Sequence, residues 1–339
     1  MVSTFYCLQW FEPFTTRSIP KLLLTTGEII GEDMKKIVIL GTGIMAVGIA
    51  AGFLASAHSV ILLGRTKERA QDQQSEIEIL TKTLNPDWKL AEYPLVFGAI
   101  DDWSDWSDVI WVIETIKEDM GLKQALFANL DQRIPPHIPI GSNSSGFPIT
   151  KIANNLPTAN RMFNAHYFMP AHIVPLVEVV LGEASDPVMG EAVCQIYRDA
   201  GKKPVLVKKD IPGFLANRIQ HALMREALSL VDAGIATPDD VDTAVRYSFG
   251  FRYAAVGPMT QKEISGWEGM AGASVEIWPS LYNVDGLQPV MANLIAQGKY
   301  GMKSKEGFRT WSDEEMKEMR RKYNARLKAA FDVLQVEPD

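Results

Sequence analysis

The stretch 36–53, KIVILGTGIMAVGIAAGF, constrains the fold more than any other part of the chain. A short β-branched apolar run over 36–40 reads as a buried strand, and small and apolar residues over 44–57 read as a helix. Between them Gly41, Gly43 and Ala46 form a G-x-G-x-x-A turn. Gly41 permits the tight strand-to-helix turn. Gly43 leaves bare backbone for a close approach, and Ala46, continued by Gly48, lets the helix lie against the strand. The helix N-terminus then offers free N–H groups and the positive end of its dipole, a natural place for a pyrophosphate. On this reading Gly41, Thr42, Gly43, Ile44, Met45 and Ala46 cradle the phosphates of a dinucleotide.

The pattern continues in the same style. Apolar runs at 59–63, 94–98, 108–114, 138–143, 162–168, 174–180 and 204–209 read as strands. Helical patterns at 68–84, 119–134 and 187–200 separate several of them. Strands alternating with helices imply an α/β fold: a Rossmann-type doubly wound sheet, largely parallel and covered on both faces. From 210 the character changes. One long helix is expected over 211–234, ending at Gly234. Thr237, Pro238 and Asp240 open another with a capping box, and Ser312 and Glu315 repeat that arrangement. No strand pattern interrupts 210–335, so the second domain is expected to be all-α. The 339 residues suffice for two domains. We assign 34–209 to a dinucleotide-binding domain and 210–335 to a helical domain that provides the substrate cleft and dimerisation. Residues 1–33 lack the marks of a secretory or transit peptide. They are expected to be a weakly ordered extension, or a segment packed on the surface or in an interface.

A net charge of −7 and a pI near 5.4 argue against nucleic acid or an anionic membrane as partner. No apolar run reaches the roughly 18 residues of a spanning helix. Cys7 and Cys194 read as reduced thiols in a cytoplasmic protein. His166 and His172 find no third ligand at a metal spacing, so no metal is expected. His58, His137 and His221 read as surface or packing residues.

The second strand ends in VILLGRT, 60–66. NAD-binding turns place an acid there to receive the ribose 2′-hydroxyl. Here Gly64 stands in its place, followed by Arg65 and Thr66. Without the carboxylate a 2′-phosphate is no longer repelled, and Arg65 can clamp it as a planar fork with Thr66 donating a further bond. The expected cofactor is NADP or NAD, with NADP favoured. Gly64→Asp is expected to shift preference toward NAD, and Arg65→Ala to weaken NADP more than NAD.

His166 ends one strand and Glu178 lies in the next, on an otherwise apolar segment. A carboxylate buried there needs a partner, and a histidine is the natural one. Glu178 would fix the imidazole tautomer while His166 takes or gives a proton. At these residues the chain resembles the 3-hydroxyacyl-CoA dehydrogenase family. The matching motifs are GTGIMAVGIA, VIETIKEDMGLK, GSNSSGFPIT, AHYFMPAHIVPLVEVV, DIPGFLANR and EGF at 306–308. The resemblance implies that His166 is the catalytic base and Glu178 its partner. It further implies that Ser145 and Asn217 hydrogen-bond the substrate oxygen, and that Glu118, Lys123 and Asn143 lie near the cofactor's ribose and nicotinamide. It also implies a homodimer formed through the helical domain.

Some features depart from acyl-CoA members. The segment after the second strand is short and acidic, and Met169 stands where the family commonly has asparagine. GFRYAAVGPMTQKEISGWEGM, 250–270, looks like the L-gulonate 3-dehydrogenase and lambda-crystallin branch, and Arg252 there is a candidate for a substrate carboxylate, across a dimer interface. The expected activity is NAD(P)-dependent oxidation of the 3-hydroxyl of a small polar 3-hydroxy acid, or reduction of the keto acid. The alternatives are a short-chain 3-hydroxyacyl-CoA dehydrogenase and a non-catalytic crystallin-like dinucleotide-binding protein.

Overall fold

The computed structural model describes residues 35–334 and residue 336. The expected extension over 1–33, with Cys7, lies outside the described residues, as do Met34 and Gln335 at the expected domain limits. Eight strands form one sheet: β1 Lys36–Leu40, β2 Ser59–Gly64, β3 Leu95–Ala99, β4 Val109–Glu114, β5 Ile140–Ser142, β6 Met162–Tyr167, β7 Leu176–Leu181 and β8 Lys203–Val207. Across the sheet they run β3-β2-β1-β4-β5-β6-β7-β8. Neighbours are parallel throughout except β6 and β7, which are antiparallel.

Six helices flank the sheet: α1 Ile44–Ala55, α2 Lys67–Gln71, α3 Gln74–Leu84, α4 Met120–Arg133, α5 Ile149–Ile152 and α6 Pro187–Asp199. The period-two alternation of the strands divides the core into two layers. Ile37, Ile39, Val60 and Leu62 pack with Val47 and Ala50 of α1 and Val193 and Tyr197 of α6. Val38, Leu40, Ile61 and Leu63 pack on the other face with Phe127 and Leu130 of α4 and Ile152 of α5. The buried Cys194 belongs to the first layer and is a free thiol. This is the expected doubly wound architecture. One expected helix, 68–84, is two: the amide of Gln73 bonds back three residues to Ala70, closing α2 with a tightened turn before α3 begins.

The remainder is helical: α7 Ala216–Asp232, α8 Pro238–Arg246, α9 Phe249–Tyr253, α10 Pro258–Ser265, α11 Trp267–Ile277, α12 Pro289–Ala296 and α13 Asp313–Leu334. Thr237 and Asp240 form the expected capping box on α8, and Ser312 and Glu315 exchange the same pair of bonds before α13. The long helix expected from 211 begins only at Ala216. Gly213 and Phe214 have φ of +77° and +49°, so the chain turns sharply before α7 instead of entering it directly. Among the described residues no helix is long and apolar enough to cross a membrane.

Candidate active site

The antiparallel pairing of β6 with β7 sets His166 directly opposite Glu178. His166 Nδ1 donates to Glu178 Oε2 at 2.8 Å. An ionised carboxylate only accepts, so Nδ1 carries the hydrogen, and in the neutral ring Nε2 is the acceptor. Ser145 Oγ donates to that Nε2 at 3.1 Å. The ring is held edge-on by Phe168 and tilted against Phe214, with centroids 4.7 and 5.6 Å away, and is only 3% exposed. Glu178 Oε1 accepts from the backbone N–H of Leu215 at 3.0 Å and of Ala216 at 2.8 Å. The carboxylate therefore does two jobs: it orients the imidazole and caps the N-terminus of α7. Burial by itself would raise the Glu178 carboxyl, but the bonds from His166, Ala216 and Leu215 outweigh burial and hold it below the usual range.

Asn217 follows directly on Ala216, so the cap on α7 also positions its amide. A cavity of about 850 Å³ opens here, lined by Ser145 and Asn217 together with Glu118, Phe147 and Leu287. The neighbouring Ser144 serves the loop: its Oγ accepts from Phe147 N at 2.8 Å and donates to Glu118. That leaves the Ser145 hydroxyl for His166. Sequence reasoning missed Phe214, whose positive φ turns its ring onto His166. It also read His221 as a surface or packing residue, whereas His221 lines this cavity with Arg218 and Arg225. The helical spacing from Asn217 was the available signal.

A second cavity, of about 390 Å³, lies at the carboxyl ends of β1, β2 and β4, where the strand order reverses. It is lined by the expected Gly41, Thr42, Gly43, Ile44, Met45, Gly64 and Arg65, and also by Arg69, Thr115 and Lys117. Ala46 is buried beneath it. Gly41 has φ +124°, and a Cβ there would come within 2.5 Å of Thr115 Oγ1, so only glycine serves this turn. Beside Gly43, by contrast, a Cβ would meet nothing within 4 Å. That open space, the uncapped N-terminus of α1 and a lining with three cations and no carboxylate fit the phosphates of a dinucleotide.

Thr66 and Lys123 are placed differently from expectation. Thr66 Oγ1 accepts from Arg69 N at 3.3 Å as the N-cap of α2, and Thr66 is not among the residues lining the cavity. Lys123 is 1% exposed, with its ammonium on Glu114 Oε1 at 2.7 Å and Glu118 Oε2 at 3.4 Å. It thus stands behind Glu118 and is not among the residues lining either cavity. Glu114, which the sequence reading passed over, also accepts from Ser142 Oγ at 2.6 Å and Ile116 N at 2.5 Å. Burial pushes its carboxyl up, against the pull of Lys123, Ser142 and Ile116. Asn143 Oδ1 accepts from Tyr167 N at 2.9 Å, tying the end of β5 to β6. Arg252 on α9 is exposed and does not line the cavity that holds Ser145 and Asn217.

Two family profiles match in tandem along the chain. The NAD binding domain of 3-hydroxyacyl-CoA dehydrogenase covers residues 36–211, and the C-terminal domain of the same enzyme covers 213–311. The chain belongs to the 3-hydroxyacyl-CoA dehydrogenase family. As a member it is an oxidoreductase with an NAD-binding domain followed by a helical domain. Among its relatives is 5-formyl-3-hydroxy-2-methylpyridine 4-carboxylate 5-dehydrogenase of Mesorhizobium japonicum, 30% identical over 89% of this chain and 99% of the relative. L-carnitine dehydrogenase of Streptomyces coelicolor is 33% identical over 74% of this chain and 80% of its own length. The mitochondrial hydroxyacyl-coenzyme A dehydrogenase of Sus scrofa is 30% identical over 87% of this chain and 98% of that protein. The crystal structure of a 5-formyl-3-hydroxy-2-methylpyridine 4-carboxylic acid 5-dehydrogenase, described as an NAD+ dependent dismutase, superposes with a TM-score of 0.82. It is 28% identical, and the match covers 91% of this chain and all of that structure. The printed names of these relatives carry different substrates: a pyridine carboxylate, L-carnitine and a hydroxyacyl-coenzyme A.

Proposed function

We propose that the protein oxidises the 3-hydroxyl of a small polar 3-hydroxy acid, or reduces the corresponding keto acid, with His166 as the general base or acid. The observation that carries this reading is the chain Glu178–His166–Ser145, whose outer member, Ser145, lines the cavity together with Asn217. His166 Nε2 takes the hydroxyl proton, and Glu178 stabilises the imidazolium that forms. When substrate enters, the Ser145 hydroxyl turns its one hydrogen from His166 Nε2 to the substrate oxygen, which frees Nε2, and Asn217 donates beside it. A nicotinamide dinucleotide held by the Gly41–Ala46 turn supplies the hydride acceptor or donor. We favour NADP, or use of both cofactors, because Arg65, Arg69 and Lys117 line the second cavity without an acid to repel a 2′-phosphate. The 2′-phosphate contact passes from Thr66 to Arg69 in this reading.

The preference for a free acid rests on the cationic side chains of the first cavity and on a relative whose name carries a pyridine carboxylate. A short-chain 3-hydroxyacyl-CoA is the second reading, favoured by the Sus scrofa relative. Steady-state rates on free 3-hydroxy acids and on acetoacetyl-CoA separate the two, and dominant thioester turnover would overturn the first. His166→Ala should lower kcat by about 10²- to 10⁴-fold with dinucleotide binding intact. Unchanged turnover would remove His166 from the chemistry.

A further inference from the structure

The α7 wall of the larger cavity carries three basic-type side chains that the reaction chemistry leaves unused: Arg218, His221 and Arg225. Their i, i+3, i+7 spacing puts them on one helical face, adjoining Asn217. Arg218 Nη1 donates to the Pro212 carbonyl oxygen at 3.1 Å. Among the described residues, no hydrogen bond or ion pair engages the side chain of His221 or Arg225.

The neighbouring acids Glu118 and Glu226 form no ion pair with this face and turn their oxygens to other donors. Glu226, next in the chain to Arg225, accepts from Tyr282 N at 2.7 Å. Glu118, the carboxylate in the cavity wall, is taken by Lys123, Ser144 and Gly146 N. The backbone at Arg225 is pinned to the opposite wall, because the buried Gln288 donates to its carbonyl oxygen at 2.9 Å. The helix therefore presents Arg225 and His221 without an ion-pair partner among the described residues, on a backbone held in place relative to Asn217.

We propose that Arg225, assisted by His221 and Arg218, is the subsite for the substrate's carboxylate and sets the preference for an acid over a neutral or thioester substrate. The proposal rests on the reading of this cavity as the substrate side of the dehydrogenase. A rise of about 1.5 Å per residue puts His221 about 6 Å and Arg225 about 12 Å along α7 from Asn217. Helical side chains lean toward the N-terminus, so the Arg225 guanidinium reaches back toward His221. A carboxylate a few bonds from the carbinol carbon fits that spacing, and the planar guanidinium can receive it through two parallel bonds. This assigns within one chain the task that the sequence had suggested for Arg252.

The test compares 3-hydroxybutyrate with its neutral isostere, 3-hydroxybutyramide, at saturating dinucleotide. Arg225→Leu should raise KM for the acid about tenfold or more, leave kcat within about twofold, and leave KM for the amide unchanged. Arg225→Lys should recover part of the loss. A rise of equal size for acid and amide, or none for either, overturns the proposal. Arg225 is exposed and leucine favours helix, so unchanged dinucleotide binding serves as the check on folding. A second readout does not need turnover: calorimetric titration of glutarate into the wild type and Arg225→Leu. Binding about tenfold tighter to the wild type supports the subsite, whereas equal binding, or none to the wild type, overturns it. Arg225-dependent glutarate binding without oxidation of any hydroxy compound would leave the subsite standing and sink the dehydrogenase reading of the cavity.

Discussion

Gly64 is buried at the end of β2, and a Cβ built on it would lie 2.8 Å from the Thr66 carbonyl oxygen and 3.2 Å from the Ala70 amide. Backbone atoms cannot swing aside as a side-chain tip can. Gly64→Asp is therefore not the clean switch toward NAD that the sequence suggests. It should displace the start of α2 and weaken both cofactors, with a lowered melting temperature as the sign. Arg65 is exposed and lines the same cavity, so Arg65→Ala is the better probe. It should weaken NADP about tenfold to a hundredfold more than NAD in equilibrium titrations. Equal weakening of both would refute the phosphate clamp. At this scale the cofactor-turn glycines and the candidate catalytic residues were legible in the sequence, because each has few chemical uses. The crowding at Gly64 was not, since Thr66 and Ala70 reach it only through the turn into α2.

At the scale of elements, Glu178 joins β7 to both β6 and α7. The bonds to Leu215 and Ala216 explain why α7 starts at Ala216, past the left-handed Gly213 and Phe214. An unfolded glutamate titrates near about 4.3, and Glu178 in the folded protein titrates lower. Between those two values the unfolded chain binds more protons, so this contribution to stability is present at higher pH and is lost as pH falls through the folded value. Glu178→Gln should cost about 1–3 kcal/mol at neutral pH, with the gap to wild type closing as pH falls from the unfolded carboxyl range through the lower folded value. Urea unfolding at a series of pH values measures it; a gap that stays constant into acid would show that the charge on Glu178 contributes nothing. Strand existence was readable from apolar runs along most of the sheet. The break between α2 and α3 was not, because a continuous polar run gives no local sign of a tightened turn.

Across the whole molecule the two halves differ in how they bury apolar residues. The sheet and its helices enclose two core layers, whereas no residue of α7 through α12 is fully buried. Phe251 is 75% exposed and Trp278 61%. So much large apolar surface on one half is the mark of an interaction face, and a second copy of the chain is the expected occupant. Sedimentation equilibrium should give twice the 37.7 kDa of one chain, and Phe251→Asp should shift the species toward monomer. A wild-type protein that is monomeric at micromolar concentration would exclude this. In a dimer formed through this face, Arg252, adjacent to Phe251, belongs to the interface.

The sequence by itself determined the features that depend on near neighbours: the glycine turn, the strand and helix periods, the caps at Thr237 and Ser312, and the need of a buried Glu178 for a partner such as His166. Those follow from backbone sterics, amphipathic spacing and the cost of burying charge, all readable within a short window. Only the tertiary structure decided which distant elements meet. The antiparallel β6–β7 register put His166 across from Glu178, and packing of α4 on the sheet drew Lys123 inward onto Glu114. The course of α7 along the cavity turned Arg225 and His221 toward it, while Arg252 stayed outside. Burial and pairing are properties of the assembled layers, and no local stretch of the chain contains them.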